Sequence, residues 1–208
     1  MGPHHGPMWR HFVNRVPELD LSTKTVLDFG CNQGGFLRTL YAMRPFKFGL
    51  GVDIAVESVR RANELKGDMP LDYRIADQLS DWSGRFDLAF SYEVLYLLPD
   101  LAAHARQIRD ALGERGVYYA VIGCHTENPL WPRWRGLIAE TTNLPVQDHS
   151  LEDYAAAFIS NGFEVAAQKF GYDGFVPVDD QKQHYATVME RLTYVAEIKV
   201  LFRMVKSG

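Results

Sequence analysis

Residues 26–36 read VLDFGCNQGGF, a short apolar strand that runs directly into a glycine-rich turn. Asp28 stands near the end of the strand, and Gly30, Gly34 and Gly35 follow it. Glycine lets the backbone turn tightly and lets a ligand approach the chain closely. The first turn of a following helix offers unpaired N–H groups to a carboxylate or phosphate. This stretch therefore predicts a ligand-binding turn between a strand and a helix.

Strands and helices alternate along the chain on both sides of this turn. Strands are predicted at 23–29, 48–54, 71–76, 85–92, 116–123, 163–170 and 193–205, and helices at 34–43, 55–65, 101–112 and 150–163. Strands separated by helices and short loops form parallel sheets with right-handed crossovers. The sequence predicts an α/β fold, a doubly wound seven-stranded sheet that is mostly parallel. The final strand is expected to be antiparallel to 163–170, which lies next to the edge.

We interpret residues 1–208 as a single domain, since domains usually have roughly 100–200 residues. Residues 1–20 form an N-terminal segment with Trp9 and Phe12 at helical spacing. Residues 124–149 are too long and too aromatic for a plain connection, so they are expected to form a lid.

Composition excludes several classes of protein. Two cysteines are too few for a disulfide framework, and no run approaches the roughly 18 apolar residues of a membrane span. We therefore expect a cytoplasmic protein without a membrane association. A net charge of −4 disfavours nucleic acid as a partner, because proteins that neutralise phosphates are usually basic. No histidine or cysteine set has the spacing of a metal site, so no metal is expected.

Two other glycine-loop motifs fit poorly. A dinucleotide fingerprint, G-x-G-x-x-G, matches at Gly30 and Gly35, but Asn32 replaces the middle glycine where the pyrophosphate must pass. A P-loop needs a lysine directly after its last glycine, and Phe36 follows Gly35 here.

The pattern Asp28-x-Gly30-x-Asn32-x-Gly34 resembles the first motif of the class I S-adenosylmethionine-dependent methyltransferases. That family has the Rossmann-like form of the sheet predicted above. Asn32 departs from the family's middle glycine, but asparagine tolerates positive φ better than most residues. The resemblance implies S-adenosyl-L-methionine as cofactor and S-adenosyl-L-homocysteine as product.

The resemblance continues in order over residues 24–123. It implies that Asp53 binds the ribose hydroxyls, that Ile54 packs on the adenine, and that Asp77 or Gln78 accepts from the adenine amino group. Ser91 lies in a segment resembling the one beneath the methionine part. Each residue also has a structural interpretation: Asp28 and Asp53 as caps, Asp77 as an ordinary polar residue after a strand, and Ser91 as a small residue where backbones crowd.

The acceptor side carries fewer signals. His125 and Glu93 follow the fifth and fourth strands and are the candidate catalytic acids or bases, although either could instead hold a loop or cap a helix. Trp131, Arg133, Trp134 and Arg135 suit a lid over an anionic or aromatic acceptor, or a helix docked on the core. The expected function is methyl transfer to nitrogen or oxygen of a small metabolite. RNA or protein methylation, or a non-catalytic module that binds the cofactor or its product, stays open; the oligomeric state stays unassigned.

Overall fold

A computed structural model describes residues 5–142, 144–178 and 184–208 of the chain. All seven strands belong to one sheet. They are β1 (Thr25–Phe29), β2 (Phe48–Asp53), β3 (Leu71–Ile75), β4 (Phe86–Tyr92), β5 (Leu112–Ile122), β6 (Phe163–Lys169) and β7 (Val200–Lys206). The α-helices of the described residues are α1 (His5–Arg15), α2 (Gly35–Met43), α3 (Val56–Leu65), α4 (Leu101–Ala111), α5 (Trp131–Thr142), α6 (Leu151–Ile159) and α7 (Val188–Thr193).

The strand order is β3-β2-β1-β4-β5-β7-β6. The first five strands pair in parallel, and β7 runs antiparallel to both of its neighbours. This confirms the predicted mostly parallel sheet with an antiparallel final strand. The strand β6 is the edge itself, because β7 inserts between it and β5. The order reverses between β1 and β4, and a doubly wound sheet binds its ligand at the carboxyl ends beside such a reversal.

The final strand is shorter than predicted. The sequence predicts a strand over 193–205, whereas Tyr194–Ile198 form one π-helical turn and β7 begins at Val200. The turn is closed by the Lys199 N–H, which donates to the Tyr194 carbonyl. The turn places the side chains of Tyr194 and Lys199 over the carboxyl end of β4, where both bond to Glu93.

The sheet is covered on both faces. One face packs Phe12 of α1 and Leu37 of α2 against Phe90 of β4. The other face packs Ile108 of α4 and Phe158 of α6. Burying each of these side chains contributes about 1.5–3 kcal/mol relative to leaving it in water. The core therefore holds the strand ends rigidly where the site residues begin.

A capping box begins α6. Ser150 accepts from the Asp153 N–H, and the Asp153 carboxylate accepts from the Ser150 N–H.

None of the helices in the described ranges is long and apolar enough to cross a bilayer. Over those same ranges, no group of three or more potential ligands is arranged to hold a metal ion.

Candidate functional site

The turn after β1 has a backbone that few residue types adopt. Gly30 and Gly34 have φ values of 77° and 70°, and Asn32 has a φ of 47°. Positive φ costs most residues about 1–2 kcal/mol, whereas glycine adopts it freely and asparagine with less penalty. Asn32 therefore substitutes for the missing middle glycine in conformation, as the sequence analysis expects.

Asp53, at the end of β2, holds this turn in place. Its Oδ2 atom accepts from the Asn32 N–H at 2.8 Å, and its Oδ1 atom accepts from the Ala55 N–H at 2.9 Å. Each carboxylate oxygen can accept a second hydrogen bond. Asp53 is thus fixed in position with acceptor capacity left for a ligand.

Asp28 is buried at the base of the turn, with 2% of its surface exposed. Its Oδ2 atom is buried and has no hydrogen-bond partner. Burial, and then the nearby charge of Asp53, raise the pKa of the Asp28 carboxyl to about 8. An unsatisfied buried oxygen is rare in a folded protein. This atom fits a site that is completed by a hydrogen-bonding group of a ligand.

Asp28 should make the stability of the ligand-free protein depend on pH. Its pKa is about 8 in the folded state and about 3.9 in an unfolded chain. Folding therefore takes up a proton between these values, and stability present below pH ~4 is lost as the pH rises towards 8, by up to about 1.4 kcal/mol per unit. Asp28→Asn should flatten this slope in urea unfolding between pH 5 and 8.5. An unchanged dependence of stability on pH in Asp28→Asn would contradict its assignment to Asp28.

At both glycines the packing of neighbouring side chains excludes a Cβ atom. A Cβ atom at Gly30 would lie 2.9 Å from Val94 Cγ1, and one at Gly34 would overlap the Tyr73 ring. The neighbouring Ile54 is 66% exposed, which leaves an apolar side chain free to contact a flat ligand. Trp9 of α1 packs against Gly35, so the N-terminal helix lies beside the turn.

A buried ion pair lies at the carboxyl end of β4. The Lys199 ammonium is 2.8 Å from Glu93 Oε1 and donates to the Tyr92 hydroxyl at 2.6 Å. Glu93 also accepts from the Tyr194 hydroxyl and, through Oε2, from the Gly123 N–H. Burial lowers the pKa of Lys199, but the Glu93 carboxylate and the Tyr92 hydroxyl together raise it above its ordinary value, so Lys199 is charged at neutral pH.

His125 lies one strand away and is 3% exposed. Its Nδ1 atom is 3.0 Å from Glu127 Oε2, and its Nε2 atom is 3.1 Å from the Ile198 carbonyl oxygen. With both ring nitrogens bonded within the chain, the imidazole is held as a brace between the loop after β5 and the π-helical turn.

Three other predicted residues lie apart from this cluster. Ser91 is fully buried, and its Oγ atom accepts from the Tyr118 hydroxyl. Asp77 and Gln78 are exposed on a 3-10 turn after β3 and border separate surface cavities of about 300 and 260 Å³. Their cofactor contacts stay predictions.

The segment expected to form a lid contains α5. Trp131 and Trp134 are buried and donate to Asp148 Oδ1 and to the His184 carbonyl. Arg133 and Arg135 are exposed and pair with Glu190 and Asp148. This matches the helix docked on the core; residue 143 lies outside the described residues, and a lid role stays a prediction.

Sequence reasoning missed Lys199 and Tyr194. Lys199 is directly flanked by Ile198 and by the apolar run 200–202, and these apolar neighbours were the available signal. A charge surrounded by apolar residues is usually paired when it is buried.

A family of proteins described as methyltransferase domains matches residues 4–168. This chain belongs to that family. Members use S-adenosylmethionine as methyl donor, in agreement with the cofactor expected from the turn. Asp28, Asp53, Ile54 and the glycine turn fit this group: they supply an unsatisfied buried oxygen, spare acceptor capacity, an exposed apolar side chain and a tight turn with positive φ values.

Several characterised methyltransferases resemble this methyltransferase domain. It is 28% identical over 168 residues to the chloroplastic tocopherol O-methyltransferase of Arabidopsis thaliana, covering 67% of this chain and 47% of the relative. It is 35% identical over 99 residues to the ubiquinone biosynthesis O-methyltransferase of Pseudomonas paraeruginosa, covering 45% of this chain and 42% of that relative. The chain thus spans less than half the length of these relatives.

Solved structures show the same fold. A chain of the complex between the Haloferax volcanii Trm112 methyltransferase activator and its methyltransferase partner superposes with a TM-score of 0.82 at 22% identity, covering 99% of this chain and 91% of that one. An S-adenosylmethionine-dependent methyltransferase from Mesorhizobium loti superposes with a TM-score of 0.70 at 21% identity, and the match covers 99% of both chains.

Proposed function

We propose that this protein transfers the methyl group of S-adenosylmethionine to an oxygen or nitrogen atom of a small molecule. The observation that carries the proposal is the turn after β1, in which Asp53 fixes the backbone and Asp28 keeps an unsatisfied oxygen. The sulfonium of the bound cofactor supplies an activated methyl group. The chain must bind and align the acceptor, exclude water and accept a proton where the acceptor carries one.

Oxygen is the better supported acceptor atom. The two relatives described above are both O-methyltransferases of small molecules by name. The chain supplies no (D/N)-P-P-(Y/F) motif after β4, where it reads SYEVL, and that motif is typical of amino-group methylation in nucleic acids.

Glu93 is the stronger of the two catalytic candidates. Its side chain is 19% exposed, and its backbone is held at a φ of 57°, a conformation that costs about 1–2 kcal/mol. Residues held in such conformations cluster at functional sites. His125 is the weaker candidate, because each ring nitrogen has one bonding site and both are used, whereas Glu93 Oε2 accepts one hydrogen bond and can accept a second. We propose that Glu93 orients or deprotonates the acceptor and that His125 braces the rim.

A methyltransferase of RNA should have an open basic groove near Arg133 and Arg135. Both guanidinium groups are instead paired with carboxylates, which favours a small acceptor. A non-catalytic module would bind the cofactor and show no transfer to any acceptor.

The deciding experiment is calorimetric titration with S-adenosylmethionine, S-adenosylhomocysteine and NADH. Binding of the two sulfur compounds without NADH supports the proposal and is followed by an acceptor screen with labelled cofactor. Binding of NADH alone would overturn it.

Asp53→Ala should weaken S-adenosylmethionine binding by about 1–3 kcal/mol, since hydrogen bonds to a charged group are lost and the Asn32 N–H loses its acceptor. The affinity of Asp53→Asn, which keeps one acceptor oxygen, should fall between those of Asp53→Ala and the wild type. Asp87→Ala is the control, because Asp87 holds the opposite end of β1 through the Thr25 N–H. Equal affinity in Asp53→Ala and the wild type would remove Asp53 from the cofactor site.

A further inference from the structure

Arg191 is a buried cation beside the site. The residue is 7% exposed and lies on the inward face of α7, with Tyr194 and Val195 three and four positions later. Within the described ranges its guanidinium has no hydrogen bond or ion pair; the guanidinium carbon lies 5.3 Å from the centre of the Tyr185 ring. Buried charges are normally paired, because an unpaired one loses its hydration without compensation. Among the residues that the structure describes, no anion compensates this charge, and an anionic ligand could do so.

The neighbouring carboxylates are already paired. Lys199 pairs with Glu93, and Arg133 pairs with Glu190 at 2.9 Å. Of these three cations, Arg191 is the one whose charge is not balanced by a carboxylate in the part of the chain that the structure describes. Burial, and then the charges of Arg133 and Arg191, lower the pKa of His184, which accords with a positive local potential.

Three aromatic rings connect Arg191 to the end of β4. The Trp134 ring lies 5.3 Å from Tyr185 and 4.6 Å from Tyr194, in edge-to-face arrangements. The Tyr194 hydroxyl donates to Glu93, directly before Val94, which lines the glycine turn. Through these three rings, the aromatic wall, Arg191 is linked to Glu93 at the carboxyl end of β4.

We propose that Arg191 binds a carboxylate of the methyl acceptor and that the acceptor is a small aromatic acid. The inference rests on the proposed function. A guanidinium presents two parallel N–H groups that match a carboxylate, and the partly exposed Tyr185 ring can pack edge-to-face on a flat apolar body. Lysine at this position lacks that planar fork.

The test uses benzoate as probe and benzamide as its neutral counterpart. Ligand-observed NMR measures the binding of each to the full chain, with and without saturating S-adenosylhomocysteine. The wild type should prefer benzoate by about tenfold or more, the scale of hydrogen bonds to a charged group. Arg191→Met should abolish the preference, and Arg191→Lys should retain part of it. Arg133→Met, which removes a paired arginine from the neighbouring helix, should leave it unchanged.

Several results would overturn the inference. Equal binding of the two probes, or binding of inorganic phosphate with none of benzoate, would exclude a carboxylate site. If Arg191→Met lowered S-adenosylhomocysteine affinity as strongly as benzoate affinity, the anion would be the cofactor's own carboxylate. A clearly lowered Tm in Arg191→Met would indicate a structural charge, because an anchor without an internal partner loses no stability when removed. Failure of S-adenosylhomocysteine to bind the wild type contradicts the proposed function separately, since the benzoate titration is also run without it.

Discussion

Gly30→Val should abolish binding of S-adenosylmethionine. Gly30 has a φ of 77°, which a β-branched residue adopts only with strain, and its Cβ position meets the Val94 side chain. The clash would also displace either the turn or Val94, which lines it. We expect calorimetry to detect no binding at concentrations that saturate the wild type.

A matched glycine separates loss of the site from loss of the fold. Gly84 has a φ of 69°, and a Cβ atom there meets nothing within 4 Å. Gly84→Val should therefore suffer comparable backbone strain while keeping its cofactor affinity. A Gly30→Ala variant should recover part of its binding when combined with Val94→Ala, which removes the methyl groups in the way. Normal affinity in Gly30→Val would refute the assignment of the turn.

Lys199→Met should lower the free energy of unfolding by about 3–5 kcal/mol. The ammonium is buried, and its removal leaves the Glu93 carboxylate without its cation. Breaking a buried pair from one side costs this much because an uncompensated charge is left behind. Urea unfolding at pH 7 measures the loss.

The double variant Lys199→Met with Glu93→Gln should recover a large part of that loss, because no net charge then stays buried. Lys169→Met serves as control, since Lys169 pairs with Glu197 on the surface, where exposed pairs contribute at most about 1 kcal/mol. A double variant no more stable than Lys199→Met alone would show that the two charges are not coupled. A loss below about 1 kcal/mol in Lys199→Met would mean that Glu93 finds water or another donor.

The glycine turn was predictable because its determinants are local. Asp28, Gly30 and Asn32 lie within five residues, and each restricts the same piece of backbone. Asp53 follows the adjacent parallel strand, so its place beside the turn follows from the alternation of strands and helices. The sequence alone was therefore sufficient to place residues that lie at the ends of two neighbouring strands.

The acceptor side could not be predicted in the same way. Tyr92 and Lys199 are 107 residues apart and meet because β7 returns beside β5. The π-helical turn that aims Tyr194 at Glu93 has no signature in a run that otherwise reads as a strand. The sequence makes His125 look like a free base. In the structure its Nε2 atom is bonded to the Ile198 carbonyl, which comes from this same distant turn and cannot be foreseen from the residues around His125.

The position of β7 between β5 and β6 has a consequence for biosynthesis. Residues 200–206 leave the ribosome after every other strand, yet they occupy an interior place in the sheet. Until they emerge, β5 and β6 each present an unpaired backbone edge, the kind of edge that recruits other chains. Nascent chains stalled before Val200 should therefore need a chaperone to stay monomeric, whereas those stalled beyond Lys206 can close the sheet unaided.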